Sequence, residues 1–127
     1  MSRSDGTARG PLSGIRVIAL EQAVAGPLCT RHLSDLGADV IKIERPDGGD
    51  FARRYDTSVK GESSYFVWLN RNKRSLTLDV KHPAARDILH RLLAGADVFV
   101  QNFGPGAVDR LGLGAQELRA NYPRLVI

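Results

Sequence analysis

The feature that most constrains this chain is a succession of short apolar runs with helical patterns between them. Arg16-Val17-Ile18-Ala19-Leu20, Asp39-Val40-Ile41-Lys42-Ile43 and Asp97-Val98-Phe99-Val100 are brief, rich in β-branched residues and bounded by Gly or Asp, the signature of buried strands. Ser75-Leu76-Thr77-Leu78-Asp79 alternates with period two, and a further run begins at Leu125-Val126-Ile127. Gly26-Pro27 opens a helical pattern carrying Leu28, Leu33 and Leu36 until Gly37 stops it, with Pro near the start and Gly at the end, where each fits best. A second helix starts near Pro83 and carries Ile88, Leu89, Leu92 and Leu93 before Gly95, and a short third one runs from Gln116 to Tyr122. Strand, helix and strand in alternation predict parallel βαβ units with right-handed crossovers. The expected fold is therefore α/β, a Rossmann-like open parallel sheet with flanking helices.

Residues 1–11 read as a flexible lead and residues 12–127 as one domain. The segment Glu44 to Glu62 is long and polar, with Phe51 and Tyr55 as its main large apolar residues, and predicts a mobile or functional loop. The chain stops at Ile127 inside an apolar run, so a fragment of something longer is expected.

Composition narrows the function classes. A single cysteine excludes a disulfide framework and a multi-cysteine metal site. No run approaches the ~18 apolar residues of a membrane span, and Met1 to Pro11 lacks the apolar segment of a signal peptide. A soluble, cytoplasmic protein with no membrane partner is expected. The formal charge of +4 is unevenly placed: Lys42 to Arg86 holds ten basic and six acidic residues, and the rest of the chain eight of each. Such a concentration suits a phosphate-bearing ligand or a solvated face. The Arg71-Lys73-Arg74 cluster has neither an RNA-binding aromatic motif nor a helix-turn-helix around it, so no nucleic-acid partner is expected.

Ligands of open parallel sheets bind beyond the carboxyl ends of the strands, and those ends carry unusual residues here. Ala25-Gly26-Pro27 follows the first strand, Glu44-Arg45-Pro46 and Gly48-Gly49-Asp50 the second, Asp79 and Lys81 the alternating run, and Gln101-Asn102-Phe103-Gly104-Pro105-Gly106 the run before it. Basic groups, backbone donors and an aromatic face on one rim suit a ligand with an adenine and several phosphates; ordinary turn chemistry is the competing reading. No GxGxxG, GxxxxGK[ST] or GxSxG occurs. His32, His82 and His90 lack metal-ligand neighbours at i+4 and read as surface or helix-face residues, and Cys29 as a small packed residue in a first helical turn. Asp39 and Asp97 each open a strand after Gly-Ala and read as turn caps.

Several of these blocks carry a family resemblance: Leu12-Ser13-Gly14-Ile15-Arg16-Val17, Ala25-Gly26-Pro27, Asp35 through Pro46, Gly49-Asp50, Asn70 through Asp79, Ala96-Asp97-Val98, Asn102 through Gly106, and Arg110-Leu111-Gly112. In this order and spacing, Leu12 to Ile127 resembles the N-terminal portion of the family III CoA-transferases. The superfamily also holds acyl-CoA racemases, which typically read Val-Asp-Arg-Pro where this chain has Ile43-Glu44-Arg45-Pro46, and Gly at Asn102. Both details favour a transferase. A non-catalytic CoA- or nucleotide-binding module is a further alternative.

The resemblance implies an enzyme that moves CoA between an acyl-CoA thioester and a carboxylic acid, as an interlocked homodimer with no tightly bound cofactor. It implies CoA contacts at Val24, Ala25, Arg45, Leu78, Asp79, Val80, Lys81, Asn102, Phe103, Gly104 and Arg110. Arg45, Lys81 and Arg110 would meet phosphates, and Phe103 with the small residues would lie against the adenosine or pantetheine arm. Some oxalate-type transferases have Gln at Val24, so the valine here departs from that pattern. The family nucleophile is an aspartate that forms an anhydride with the acyl group and then a thioester with CoA. The resemblance places it beyond residue 127, so no catalytic residue is assigned and this chain alone is expected to be inactive.

Overall fold

A computed structural model describes residues 10–127. Four strands, β1 (Arg16–Leu20), β2 (Asp39–Glu44), β3 (Arg74–Thr77) and β4 (Val98–Gln101), form an all-parallel sheet in the order β3-β2-β1-β4. The α/β architecture read from the apolar runs is thus the observed one. Helix α1 (Ala25–Asp35) joins β1 to β2; a short 3₁₀ turn (Phe51–Arg54) and α2 (Ser64–Asn70) lie between β2 and β3; α3 (Ala85–Ala94) precedes β4; and α4 (Ala107–Arg110) and α5 (Ala115–Asn121) follow it.

Alternation along the strands assigns each residue to a face. Val17, Ala19 and Val40 pack with Leu33 of α1. Ile18, Leu20, Ile43 and Phe99 point the other way and form a larger core with Leu89 and Leu93 of α3, Val108 of α4 and Leu118 of α5. Both faces are covered, which explains why β1 is almost continuously apolar. Helix α1 ends as its glycine predicts: Gly37 takes φ of 104°, and the Ala38 and Gly37 amides donate to the Leu33 and Ser34 carbonyls.

Two elements differ from the sequence reading, and a third expectation falls mostly outside the described residues. Helical spacing does not pick out α2, because Tyr65 to Leu69 is an unbroken apolar run rather than a spaced stripe; Ser63 caps it by accepting from the Phe66 amide. The run at Leu125 forms only an isolated parallel bridge, Val126 against Val98, rather than a strand. The expected flexible lead falls mainly on residues 1–9, outside the described residues; Gly10 accepts from the Ser13 amide in a turn against the end of α1.

In the Glu44–Glu62 segment the anchoring residues are not the ones the sequence suggests. Phe51 and Tyr55, the residues the sequence offered as anchors, are 43% and 48% exposed, while Asp50 and Ala52 are buried. The segment is held by polar groups: Glu44 accepts from the Asp50 amide at 2.9 Å and from Arg53, and Asp50 accepts from the Ala52 amide. Hydrogen exchange will therefore show the Asp50 and Ala52 amides protected well above Lys60 and Gly61, which lie at an exposed turn. Truncation at the centre of the sheet, Ile18→Ala, will cost about 2–5 kcal/mol by denaturant titration.

Candidate functional site

In the strand order β3-β2-β1-β4 the direction of winding reverses between β1 and β4. A crevice opens at such a switch point beyond the carboxyl ends of the strands. The side chain of Asn102, just past β4, bridges it. Its Oδ1 accepts from the Gln22 amide at 2.9 Å and its Nδ2 donates to the Gln22 carbonyl at 2.8 Å. Gly26 suits this closure: a Cβ there would lie 3.0 Å from both Asn102 Cγ and Glu21 Cβ, and the neighbours would have to shift to admit it.

Behind this rim lies a cluster that the sequence did not reveal. Glu21, Lys42, Asp50 and Lys73 have side chains no more than 2% exposed. Lys42 Nζ contacts Asp50 Oδ2 at 2.8 Å and Glu21 Oε1 at 3.3 Å, and Lys73 Nζ contacts the same Glu21 oxygen at 2.8 Å. Thr30 donates to the other Glu21 oxygen, and Lys73 also donates to the Pro27 carbonyl and Asn70 Oδ1. Two carboxylates face two ammonium groups, so the buried charge is balanced, as burial demands. Burial pushes the Lys73 ammonium below its ordinary range, against the pull of Glu21. Asp50 Oδ1 accepts from the Ala23 amide at 2.8 Å, and Ala23 has φ of 65°, a left-handed conformation that costs a residue with a Cβ about 1–2 kcal/mol. The lone signal in the sequence was Lys42, a charge inside an apolar strand.

Glu44 extends the polar framework. Burial would raise its carboxyl, but the Arg53 fork at 2.8 and 2.7 Å, the Ser75 hydroxyl and the Asp50 amide outweigh that and hold it at about 2. The Arg53 guanidinium lies 3.7 Å from the Phe66 ring centroid, which fixes α2 to the loop through a cation–π contact.

The expected site residues divide into two groups. Arg45, Leu78, Val80 and Phe103 come together around a cleft of about 60 Å³ floored by Leu20 and Ile43. That is well below the ~300 Å³ of a complete ligand pocket, so it accommodates only part of a large ligand. Arg45 Nε donates to the Gly49 carbonyl at 2.8 Å and its guanidinium lies 4.0 Å from the Phe51 ring centroid; among the described residues its terminal nitrogens have no protein acceptor. Asp50 pairs with Lys42 and not with the nearby Arg45.

The remaining residues stand around the cleft rather than in it. Val24 and Ala25 form the exposed start of α1. Asp79 accepts from the Lys81 amide, making a turn that leaves Lys81 exposed. The Phe103 amide donates to Gln101 Oε1, the Gly104 carbonyl accepts from Ala107, and exposed Arg110 lies on α4. Of the residues read as structural, Asp97 accepts from the Arg16 amide, His90 contacts the Tyr122 hydroxyl at 2.8 Å and His82 accepts from Ala84, whereas Cys29 is exposed on α1 rather than packed.

Comparison with known proteins now decides the family. The profile described as CoA-transferase family III matches residues 12–127. The chain belongs to this family. It is 44% identical over 117 residues to a formyl-CoA:oxalate CoA-transferase of Rhodopseudomonas palustris, covering 91% of this chain and 28% of the relative. A Bradyrhizobium protein of the same name is 42% identical over the same length. Among solved structures, Rv3272 of Mycobacterium tuberculosis superposes with a TM-score of 0.84 at 42% identity, covering 94% of this chain and 32% of that one. A CaiB/BaiF family protein of Brucella suis gives 0.79 at 40% identity, covering 87% and 30%. The chain thus spans under a third of the length of these family III relatives.

The depressed Glu44 carboxyl yields a pH prediction. Its folded value, about 2, lies below its ordinary 4.5, so the stability it contributes is fully present above pH 4.5 and is lost as pH falls toward 2. Glu44→Gln will be destabilised by roughly 1–3 kcal/mol at pH 7. It will also lose less stability than the wild type between pH 4.5 and pH 2 in acid-dependent denaturant titrations.

Proposed function

We propose that this chain is the CoA-binding part of a transferase that moves CoA between an acyl-CoA thioester and a carboxylic acid. One arrangement carries the reading: the Arg45 guanidinium, stacked on Phe51, stands beside the apolar cleft of Leu78, Val80 and Phe103. A guanidinium with free terminal nitrogens suits a phosphate, and an apolar wall suits an adenine or pantetheine arm. Lys81 and Arg110 supply further cations, and Val24, Ala25 and Gly104 leave room for close approach. Asn102 and Asp79, whose side chains are committed to the chain itself, contribute by shaping the rim.

The reaction runs through an aspartyl intermediate whose aspartate lies beyond residue 127. In support, the buried carboxylates Glu21, Glu44 and Asp50 are each held by three donor groups, and none is placed to attack a thioester. The relatives named for formyl-CoA and oxalate make small carboxylic acids the natural acceptor class. A cytoplasmic homodimer is part of the same proposal, supported by the exposed Tyr65, Val67 and Trp68 on α2.

Calorimetric titration of CoA tests the reading. Arg45→Ala will weaken binding by about 1.5–3 kcal/mol, roughly ten- to a hundredfold. Arg45→Lys will recover part of this, because a point charge cannot reproduce the fork. Equal affinities would remove Arg45 from the site. Acyl-transfer turnover by residues 1–127 alone would place the nucleophile within this chain instead.

A further inference from the structure

We propose that Asp50, seated by Lys42, is a positioning residue that sets the β1–α1 loop for acyl-CoA. The inference rests on the proposed function and adds a residue pair that makes no ligand contact of its own.

The loop from Glu21 to Val24 is short, and its backbone is held from two sides. Asn102 takes both the amide and the carbonyl of Gln22. Asp50 Oδ1 takes the amide of Ala23 at 2.8 Å. The two clamps act on consecutive residues and come from different strands' ends, β4 and β2. Ala23 has φ of 65°, a conformation that a residue with a Cβ holds only when its surroundings impose it. The next residues, Val24 and Ala25, are the exposed start of α1 offered to the ligand. Their direction therefore depends on Ala23 staying left-handed.

Asp50 can serve as a clamp because it is itself fixed. Its Oδ1 also accepts from the Ala52 amide at 2.9 Å, and its Oδ2 receives Lys42 Nζ at 2.8 Å. Lys42 in turn contacts Glu21, the first residue of the same loop. The Asp50 and Glu21 carboxylates and the Lys42 ammonium between them are shut from water, where a hydrogen bond is electrostatically stronger than at the surface.

Two double variants isolate the clamp, because they make the same change of charge. Lys42→Met with Asp50→Asn keeps an oxygen facing the Ala23 amide; Lys42→Met with Asp50→Leu removes it. The Asn variant is expected to bind CoA within threefold of wild type, and the Leu variant at least tenfold more weakly. Exchange of the Gln22 to Ala25 amides should rise in the Leu variant alone, with Val17 to Ala19 unchanged. A second pair leaves the cluster intact: Ala23→Val opposes the left-handed conformation and Ala23→Gly permits it, so Val should bind at least fivefold more weakly than Gly. This pair decides the matter if the Leu variant gives no cooperative melt. Equal affinities within each pair, or a loss of affinity without faster loop exchange, would overturn the positioning role. A wild type that does not bind CoA would refute the proposed function instead, and the loop exchange would still test whether Asp50 sets Ala23.

Discussion

Lys42 is the residue that makes a buried charge cluster necessary behind the rim. It sits on β2 next to Val40, on the face covered by α1, in a position that an apolar side chain would ordinarily fill. An ammonium buried there is tolerable only if carboxylates meet it, and Asp50 and Glu21 do so from two different loops. Lys73 balances the second carboxylate and ties the cluster to α1 through the Pro27 carbonyl. Removing one member would leave a charge unpaired in the interior, at a cost of about 3–5 kcal/mol. Such a cluster therefore acts on arrangement more than on net stability. It specifies which loop lies against which strand end.

This explains how a sheet of ordinary design carries a well-defined crevice. Apolar packing holds the layers together, but it is non-directional and cannot fix the path of a backbone. Hydrogen bonds to buried carboxylates and amides can. Asp50 and Asn102 grip consecutive residues of the β1–α1 loop, and Glu44 and Asp50 grip amides of the segment after β2. Arg45 and Phe51 are then presented on a framework that is already rigid, while Leu78, Val80 and Phe103 line the cleft beside them. Inward-facing charges build the rim, whereas exposed Arg71, Arg74 and Arg86 pair with Asp35, Asp39 and Glu117 at the surface.

Much of the fold was legible in the residues because its signals are local. Val17 to Leu20 and Val40 to Ile43 read as buried strands, and they are; Gly37 reads as a helix stop, and it takes the left-handed conformation that role needs. Asp97 reads as a cap after Gly-Ala and accepts from Arg16. The blocks Leu12–Val17, Asp35–Pro46 and Asn102–Gly106 carried the family, which the match over residues 12–127 shows. Local signals failed where polar groups do the anchoring. The Glu44–Glu62 segment looked loose because its large apolar residues are few, and those residues are half exposed; its true anchors are a carboxylate and a small Ala.

The sequence by itself determined the parallel sheet with flanking helices and the family, because each is written in periodicity, punctuation or short contiguous blocks. Only the tertiary structure decided which charges are structural and which are available. Glu21, Lys42, Asp50 and Lys73 are separated by 21, 8 and 52 positions along the pairs that join them, and no local pattern links residues so far apart. In the chain only Lys42 stands out, as a charge inside an apolar strand. Burial makes the difference: a charge shut from water must find its opposite, whereas one at the surface is met by solvent.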